Sequence, residues 1–218
     1  SWLSKHSIHA ETLLTFQGHQ QTIKKWLAER ILPENCDFST HQLLDNLPYL
    51  DKRSYSIASI SEQGQLELIV RLIEKDTESF GLASGYLSHQ CQIGSIIKGQ
   101  IRSVSAHHSI ELSQPLILIG AGSGLAGLKA QIETRLHNQK NKIIGPMWLL
   151  FGERNSCQTL PLNKYLLNLQ ENTLAKLSCA YSQDSNYAKY VHHILNDEKS
   201  MLKQWLQEGA TLYVCGCL

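Results

Sequence analysis

The spacing of apolar residues changes twice along the chain, and each change predicts a different kind of structure. Residues 1 to about 50 carry apolar side chains three and four positions apart, which is the spacing of an amphipathic helix. These residues are Ile23, Trp26, Leu27, Leu32, Leu43, Leu44 and Leu47, with the capping candidates Ser39 and Thr40 before the last three. The first stretch therefore predicts a helical lead-in.

From Ser54 the spacing becomes that of β-strands. A strand is predicted over Tyr55 to Ile60, followed by a turn at Gln63-Gly64. A second strand is predicted where apolar residues occupy alternate positions from Leu66 to Leu72, and a third over Ser95 to Val104. We interpret this middle stretch as part of an antiparallel sheet or barrel.

After Gln114 the pattern changes again, to short apolar strands that alternate with helices. Strands are predicted over 116–119, 147–151, 174–181 and 211–214, and helices over about 125–138, near 160–169 and within 187–208. Alternation of this kind is typical of a parallel sheet with crossover helices. The sequence therefore predicts two domains, a helical segment with a partial β-barrel over 1–113 and an α/β domain over 114–218.

Composition limits the kinds of partner. With 42% hydrophobic and 18% charged residues, the chain has the profile of a globular protein. Its formal net charge is +1 and charges of both signs are interspersed, so the sequence contains no basic face for nucleic acid. No apolar run approaches the roughly 20 residues that cross a bilayer. We expect neither a nucleic-acid partner nor a membrane span in this chain.

The spacing of cysteine and histidine favours reduced thiols without a bound metal. The six cysteines form no C-x-x-C pair, and His107-His108 and His192-His193 lack the i, i+4 spacing of a helical metal site. Reduced thiols are typical of the cytosol. The chain starts at Ser1 and stops two residues after Gly216. We therefore expect a piece of a cytoplasmic protein, or of the cytoplasmic part of a membrane-anchored one, trimmed at both ends.

The run Gly120-Ala121-Gly122-Ser123-Gly124 follows the first strand predicted in the α/β domain and precedes a helix. Glycines let a backbone approach a phosphate, and a helix N-terminus offers it amide donors. With Gly127 the run satisfies G-x-G-x-x-G. A tight structural turn is the simpler interpretation, and an ordinary Rossmann dehydrogenase is another. Such a dehydrogenase has an acidic residue about 20 positions on, where this chain has Asn141-Lys142.

Two earlier segments make the chain resemble a known family, Arg53-Ser54-Tyr55-Ser56-Ile57-Ala58-Ser59 and Gly81-Leu82-Ala83-Ser84-Gly85-Tyr86-Leu87. They are similar to the ferredoxin-NADP reductase superfamily, and in particular to the diflavin reductases, which include the flavoprotein of sulfite reductase and microsomal cytochrome reductase. The resemblance implies that Arg53 pairs with the pyrophosphate of FAD, Tyr55 lies against its flavin ring, and Ser56 hydrogen-bonds near the reactive N5. It also implies that the FAD diphosphate is held by Gly81, Leu82, Ala83 and Ser84.

Four later segments match the same family in order. They are Gly120 to Gly124 for its G-P-G-T-G loop, Phe151 to Arg154 for F-G-x-R, Tyr181 to Val191 for the 2′-phosphate segment, and Tyr213 to Gly216 for Y-V-C-G. The resemblance implies NADPH as the second cofactor, with Cys215 beside the nicotinamide and both Cys215 and Ser56 taking part in hydride transfer. The implied NADPH contacts are Gly120, Gly122, Ser123, Gly124, Gly152, Arg154, Ser182, Gln183, Lys189 and Tyr190.

The chain departs from the family pattern at several positions. Gln183 replaces the arginine of an S-R pair, and Gly127 replaces the proline of A-P-F-R. No aromatic residue stands near Glu74-Lys75 to stack on the FAD adenine. Lys189 still offers a point charge to the 2′-phosphate, so we expect NADPH to be preferred over NADH by a modest factor.

The expected function is electron transfer from NADPH through FAD to an FMN domain, a haem or an iron–sulfur partner. The cofactors would carry the redox chemistry and the protein would supply placement and electrostatics. The resemblance also implies that the first strands of the family's barrel lie outside this chain. This expectation and the altered motifs motivate an alternative, a non-catalytic or degenerate nucleotide-binding fragment.

Overall fold

A computed structural model of the chain describes residues 52–60, 64–74, 80–103, 110–184 and 189–216. All of these except Lys52 belong to one compact unit. The helical lead-in predicted over residues 1 to about 50 lies outside the described residues. The domain boundary predicted near Ser113 stays a prediction.

The described residues between 52 and 103, here called the N-side segment, contain little regular secondary structure. Two isolated antiparallel bridges join Ile57 to Leu68 and Glu74 to Phe80. Its helical elements are α1, Leu82–Gly85, and a π-helical turn, Tyr86–Gln90. The strands predicted from Ser54 onward are therefore present only in part, as isolated antiparallel bridges.

The strand predicted over Ser95 to Val104 does not form within the described residues 95–103. A strand needs a neighbour that completes its hydrogen-bond ladder, and no described segment pairs with this one. Its apolar side chains are exposed instead, Ile96 at 91% and Ile101 at 72%. The barrel predicted within 1–113 thus stays a prediction.

The described residues from 110 to 216, here called the α/β region, contain a four-stranded parallel sheet. Its strands are β1, Leu116–Ala121; β2, Met147–Glu153; β3, Lys176–Tyr181; and β4, Thr211–Cys215. They lie in the order β3-β2-β1-β4. The predicted parallel sheet is confirmed.

Helices connect these strands where the sequence predicts them. They are α2, Leu125–Asn138, after a 3₁₀ turn over Gly122–Gly124; α3, Leu160–Asn172, after a 3₁₀ turn over Ser156–Thr159; α4, Val191–Asp197; and α5, Lys199–Gln207. The third strand begins two residues later than predicted. The amide of Leu174 still donates to the carbonyl of Leu169 at 2.7 Å and closes the end of α3.

Helices cover both faces of the sheet, as expected when all strands are parallel. Alternate strand residues enter two separate cores. One core contains Leu116, Leu118, Leu149 and Phe151 with Leu125, Leu128 and Ile132 of α2 and Leu166 and Leu169 of α3. The other contains Ile117, Trp148 and Leu150 with Ile194 of α4 and, partly buried, Leu202 and Trp205 of α5.

The strand order places a change of direction beside β1. The chain proceeds outward from β1 to β2 and β3, and then returns across the other face of the sheet to β4 on the opposite side of β1. In open α/β sheets, ligands bind outside the carboxyl ends of the strands at such a switch point. The fold therefore points to the ends of β1 and β4.

A buried arginine contacts the segments that lead into β1 and β2. Arg135 of α2 is 1% exposed and donates to the carbonyls of Glu111 at 3.1 Å, Gln114 at 2.8 Å and Gly145 at 3.3 Å. Burial lowers its pKa, but an arginine stays protonated in proteins. These three hydrogen bonds tie α2 to the segments that precede β1 and β2.

Candidate functional site

The glycine run lies at the switch point. It continues from the end of β1 through the 3₁₀ turn Gly122–Gly124 into α2, whose N-terminus has no side-chain cap. Gly122 has a φ of +56°, a left-handed conformation that favours glycine. The first amides of a helix lack intrahelical partners and suit an anion. This geometry is compatible with a phosphate group of a bound nucleotide.

Three glycines around this turn make room for one residue, Cys215 at the end of β4. A Cβ atom added to Gly120 would lie 2.5 Å from the Cys215 carbonyl oxygen, and one added to Gly124 would lie 2.3 Å from it. A Cβ on Gly127 would lie 2.7 Å from the Cys215 thiol. These glycines are therefore required by close packing against β4, whereas Gly122 carries the special backbone angle.

Cys215 is partly buried and packs against the core on the α2 face of the sheet. Its backbone is opposite Gly120 in the β1–β4 register. Burial, followed by the effect of the nearby Cys215, raises the pKa of Tyr213 on the same strand. The structure thus places the thiol at the switch point, against the first turns of α2.

The carboxyl ends of β2 and β3 bring the predicted 2′-phosphate residues together. The amide of Ser182 donates to the carbonyl of Glu153 at 3.0 Å, and the amide of Gln183 donates to that of Arg154 at 2.6 Å. The amide of Lys189 donates to the carbonyl of Tyr181 at 2.9 Å. Gly152 has close neighbours, since an added Cβ would lie 2.8 Å from Val191. These segments form one continuous edge.

Lys189 and Tyr190 introduce α4 at this edge. The ammonium of Lys189 donates to the carboxylate of Asp197 at 2.9 Å, and this contact lowers the pKa of Asp197. The ring of Tyr190 stacks on His192 with 5.6 Å between centroids. Both Lys189 and Tyr190 are exposed, so a phosphate can approach the ammonium in competition with Asp197.

A second pair of charges, Arg71 and Glu153, lies at the glycine turn. A guanidinium nitrogen of Arg71 is 2.7 Å from the position that a Cβ on Gly122 would occupy. The same nitrogen donates to the carboxylate of Glu153. This ion pair joins the N-side segment to the end of β2.

Comparisons with known proteins found a matching family model and several similar relatives. Residues 118–218 match the family model of the oxidoreductase NAD-binding domain. The sulfite reductase (NADPH) flavoprotein alpha-component of Vibrio cholerae is 36% identical over 196 residues, covering 84% of this chain and 30% of the relative. That of Aliivibrio fischeri is 30% identical over 227 residues, covering 98% of this chain and 35% of the relative.

The family model and these relatives support the ferredoxin-NADP reductase-like diflavin reductase family for this chain. The resemblance predicted from the motifs is confirmed. A third relative, the same component from Photobacterium profundum, is 32% identical over 217 residues, covering 94% of this chain and 34% of the relative. The chain thus spans about a third of the length of the curated relatives it matches.

The residues that match the FAD motifs of the family lie in the N-side segment. Arg53, Tyr55 and Ser56 are exposed in its first described stretch, 52–60, with Tyr55 at 36%. The other motif surrounds α1, where Gly81 precedes the helix and Ser84 is buried. The Ser84 hydroxyl accepts from the amide of Ile73 at 3.1 Å and donates to the carbonyl of Gly81 at 3.4 Å. It therefore holds α1 against the preceding segment at Ile73.

An open cleft of about 600 Å³ lies elsewhere, between the N-side segment and the later turns of α2. No predicted site residue lines it; its walls are Ser59, Ile60, Gln65, Leu66, Glu67, Glu133, Leu136 and His137. Lys129 contacts Glu133 and, at 2.7 Å, Glu67. Burial lowers the pKa of Lys129, but the two carboxylates outweigh it, and the pKa is raised.

Among the described residues, no helix is both long and apolar enough to cross a membrane, and no cluster of three or more metal-ligating side chains occurs. The sequence motifs assign no role to Arg71 or Glu153. Two signals were available: Arg71 is the only charged residue between Leu68 and Ile73, and Glu153 occupies the variable position of F-G-x-R.

Proposed function

We propose that this chain is the FAD- and NADPH-binding part of an oxidoreductase, which takes electrons from NADPH and passes them through FAD to an FMN domain, a haem or an iron–sulfur partner. The observation that carries the proposal is the glycine turn at the switch point, beside Cys215, in a chain that is similar to the diflavin reductases. This similarity favours a flavoprotein over an ordinary dehydrogenase.

The NADPH would lie along the carboxyl ends of the four strands. Its diphosphate would contact Gly120, Gly122, Ser123 and Gly124, where the uncapped α2 offers amides. Its 2′-phosphate would lie at the edge formed by Arg154, Ser182, Gln183, Lys189 and Tyr190. Gly152 has no side chain, so the ligand would lie close to the protein backbone between these two sites. The nicotinamide would then lie towards Cys215.

The FAD would be held by the N-side segment, completed as a β-barrel by further strands. A guanidinium binds phosphate oxygens bidentately, which suits Arg53 to the pyrophosphate, and the exposed ring of Tyr55 suits the flat flavin. Gly81, Leu82 and Ala83 would present amides at the start of α1. Ser84 would support them, because its hydroxyl already bonds Gly81 and Ile73.

When bound, the flavin supplies the change from hydride transfer to single-electron transfer. The chain's own residues set the geometry of that step. Ser56 would hydrogen-bond near the flavin N5, and Cys215 would fix the distance of the nicotinamide without acting as a nucleophile. A misplacement of about 1 Å can cost on the order of a hundredfold in rate. The cytoplasmic location predicted from the cysteines stays a prediction.

The experiment that tests this function is reconstitution of the chain with FAD, followed by flavin absorbance and anaerobic reduction with NADPH. We expect a yellow protein that NADPH bleaches. Arg53→Ala should weaken FAD retention at least tenfold, because a charge-assisted hydrogen bond to phosphate contributes about 1.5 to 3 kcal/mol. Ser182→Ala, at the proposed NADPH site, is the matched control and should retain FAD. Equal flavin occupancy in the two variants would contradict the role of Arg53.

A further inference from the structure

The last residue of β2, Glu153, has a carboxylate that is almost enclosed. Its side chain is 7% exposed. One oxygen accepts from the backbone amide of Arg154 at 2.7 Å, and the other accepts from the guanidinium of Arg71. With both oxygens engaged and little room to turn, the negative charge is fixed at the carboxyl end of the strand.

Arg71 connects this fixed charge to the glycine turn. The Arg71 nitrogen that binds Glu153 lies 2.7 Å from the position of a Cβ on Gly122, and its Cζ lies 3.2 Å from it. Arg71 therefore lies between the carboxylate and the turn that would receive a diphosphate. Its guanidinium is the kind of group that pairs with either anion.

We infer that Glu153 is an affinity-limiting residue of the dinucleotide site, holding Arg71 as an internal counter-ion and opposing the diphosphate of the ligand. The inference rests on the proposed function, since it needs a dinucleotide at Gly122. A carboxylate and a diphosphate repel each other, and the repulsion is strongest where solvent is excluded. The two anions also compete for Arg71.

A purely structural role is the simpler interpretation, and the chain contains a pair that fits it. Lys129 of α2 binds Glu67 at 2.7 Å and so makes another ion pair between the N-side segment and the α/β region. Glu67 lines the open cleft rather than the glycine turn, and its side chain is 63% exposed. Removal of this carboxylate tests the loss of an anchoring ion pair without a change at the turn.

The test is titration of NADP⁺ into the full chain by isothermal calorimetry, with thermal melting to verify the fold. Glu153→Gln keeps the shape of the side chain and an oxygen acceptor, and should bind NADP⁺ on the order of tenfold more tightly. Glu67→Gln, the matched control, should bind like the parent. Glu153→Asp, which keeps the charge, should not reproduce the gain.

Glu153→Met is the second neutral variant, in case Glu153→Gln does not fold. If a folded neutral variant binds NADP⁺ no more tightly than the parent, the inference fails while the proposed function stands. If neither the parent nor the neutral variants bind NADP⁺, both fail. Binding by a neutral variant alone would support the inference, since the carboxylate would then be what excluded the ligand.

Discussion

The α/β region and the N-side segment bury their apolar residues to very different degrees. In the α/β region Ile117, Leu118, Trp148 and Leu149 are fully buried, because helices from the same region cover both faces of the sheet. In the N-side segment the large apolar side chains Ile93, Ile96, Ile97 and Ile101 are between 58% and 108% exposed.

The difference shows that the two sets of residues that match the family motifs are supported in different ways. The glycine turn is part of the α/β region, whose own strands and helices supply the buried residues of both cores. Among the described residues, the contacts of the N-side segment with that sheet and its helices include two ion pairs and the packing of Ile69 against the core. We therefore expect the stability of the described unit to reside mainly in the α/β region.

The largest expected effect is on stability. Trp148→Ala should lower the free energy of unfolding by about 3 to 5 kcal/mol, because it leaves a cavity in a closed core. It also removes the contact with Trp205 and leaves the Ser178 hydroxyl without the indole donor at 3.1 Å. Urea denaturation followed by tryptophan fluorescence and circular dichroism measures this change.

Ile96→Ala is the matched truncation in the N-side segment. At 91% exposure, this side chain should contribute no more than about 0.5 kcal/mol. A loss for Ile96→Ala as large as that for Trp148→Ala would remove the contrast between the two regions, since residues 92–103 would then be part of a core in solution.

The second effect is on hydride transfer and tests the packing of the glycine turn against β4. In FAD-loaded protein, Gly127→Ala should move the Cys215 thiol, which would lie 2.7 Å from the new Cβ. We expect flavin reduction by NADPH to slow by up to about a hundredfold, with dinucleotide affinity nearly unchanged. Stopped-flow absorbance and calorimetry measure the two quantities.

Cys215→Ala should also slow flavin reduction without weakening dinucleotide binding. If Gly127 acts only through Cys215, the double variant should reduce its flavin at the rate of Cys215→Ala alone, because residues that act as a unit are not additive. Independent, additive losses would show that Gly127 has another role. Losses confined to unfolding would assign Cys215 to the core.

The smallest effect is on cofactor preference. Gln183 is exposed, and its backbone is bonded to that of Arg154. Gln183→Arg should therefore add a cation beside the 2′-phosphate and raise the preference for NADPH over NADH roughly threefold, the size expected of an exposed charge pair. Gln207→Arg, an exposed position on α5, controls for net charge. Tighter binding of NADH than NADPH by the parent would overturn the expected preference.

The α/β region could be predicted from the sequence because its information is local. Alternation of apolar strands with helices fixes a parallel sheet, and the end of each strand then fixes where Gly120, Gly152 and Cys215 lie. The barrel could not be established in the same way, since its strands need partners distant in sequence. The Arg71–Glu153 pair was missed because 82 residues separate its members, and spacing alone says nothing about such contacts.

The hydrogen bonds of the buried Arg135 determine which substitutions are tolerated in the segments that precede β1 and β2. Its three acceptors are backbone carbonyls, which every residue type provides and which do not titrate. Glu111 and Gln114 can therefore change identity without loss of these hydrogen bonds, whereas Gly145 is constrained separately, since a Cβ there would lie 2.3 Å from the carbonyl oxygen of Gln114. Of the groups in this contact, only the guanidinium depends on residue identity, since its partners are backbone carbonyls. The contact should persist at every pH at which the protein stays folded, because neither the arginine nor the carbonyls change charge.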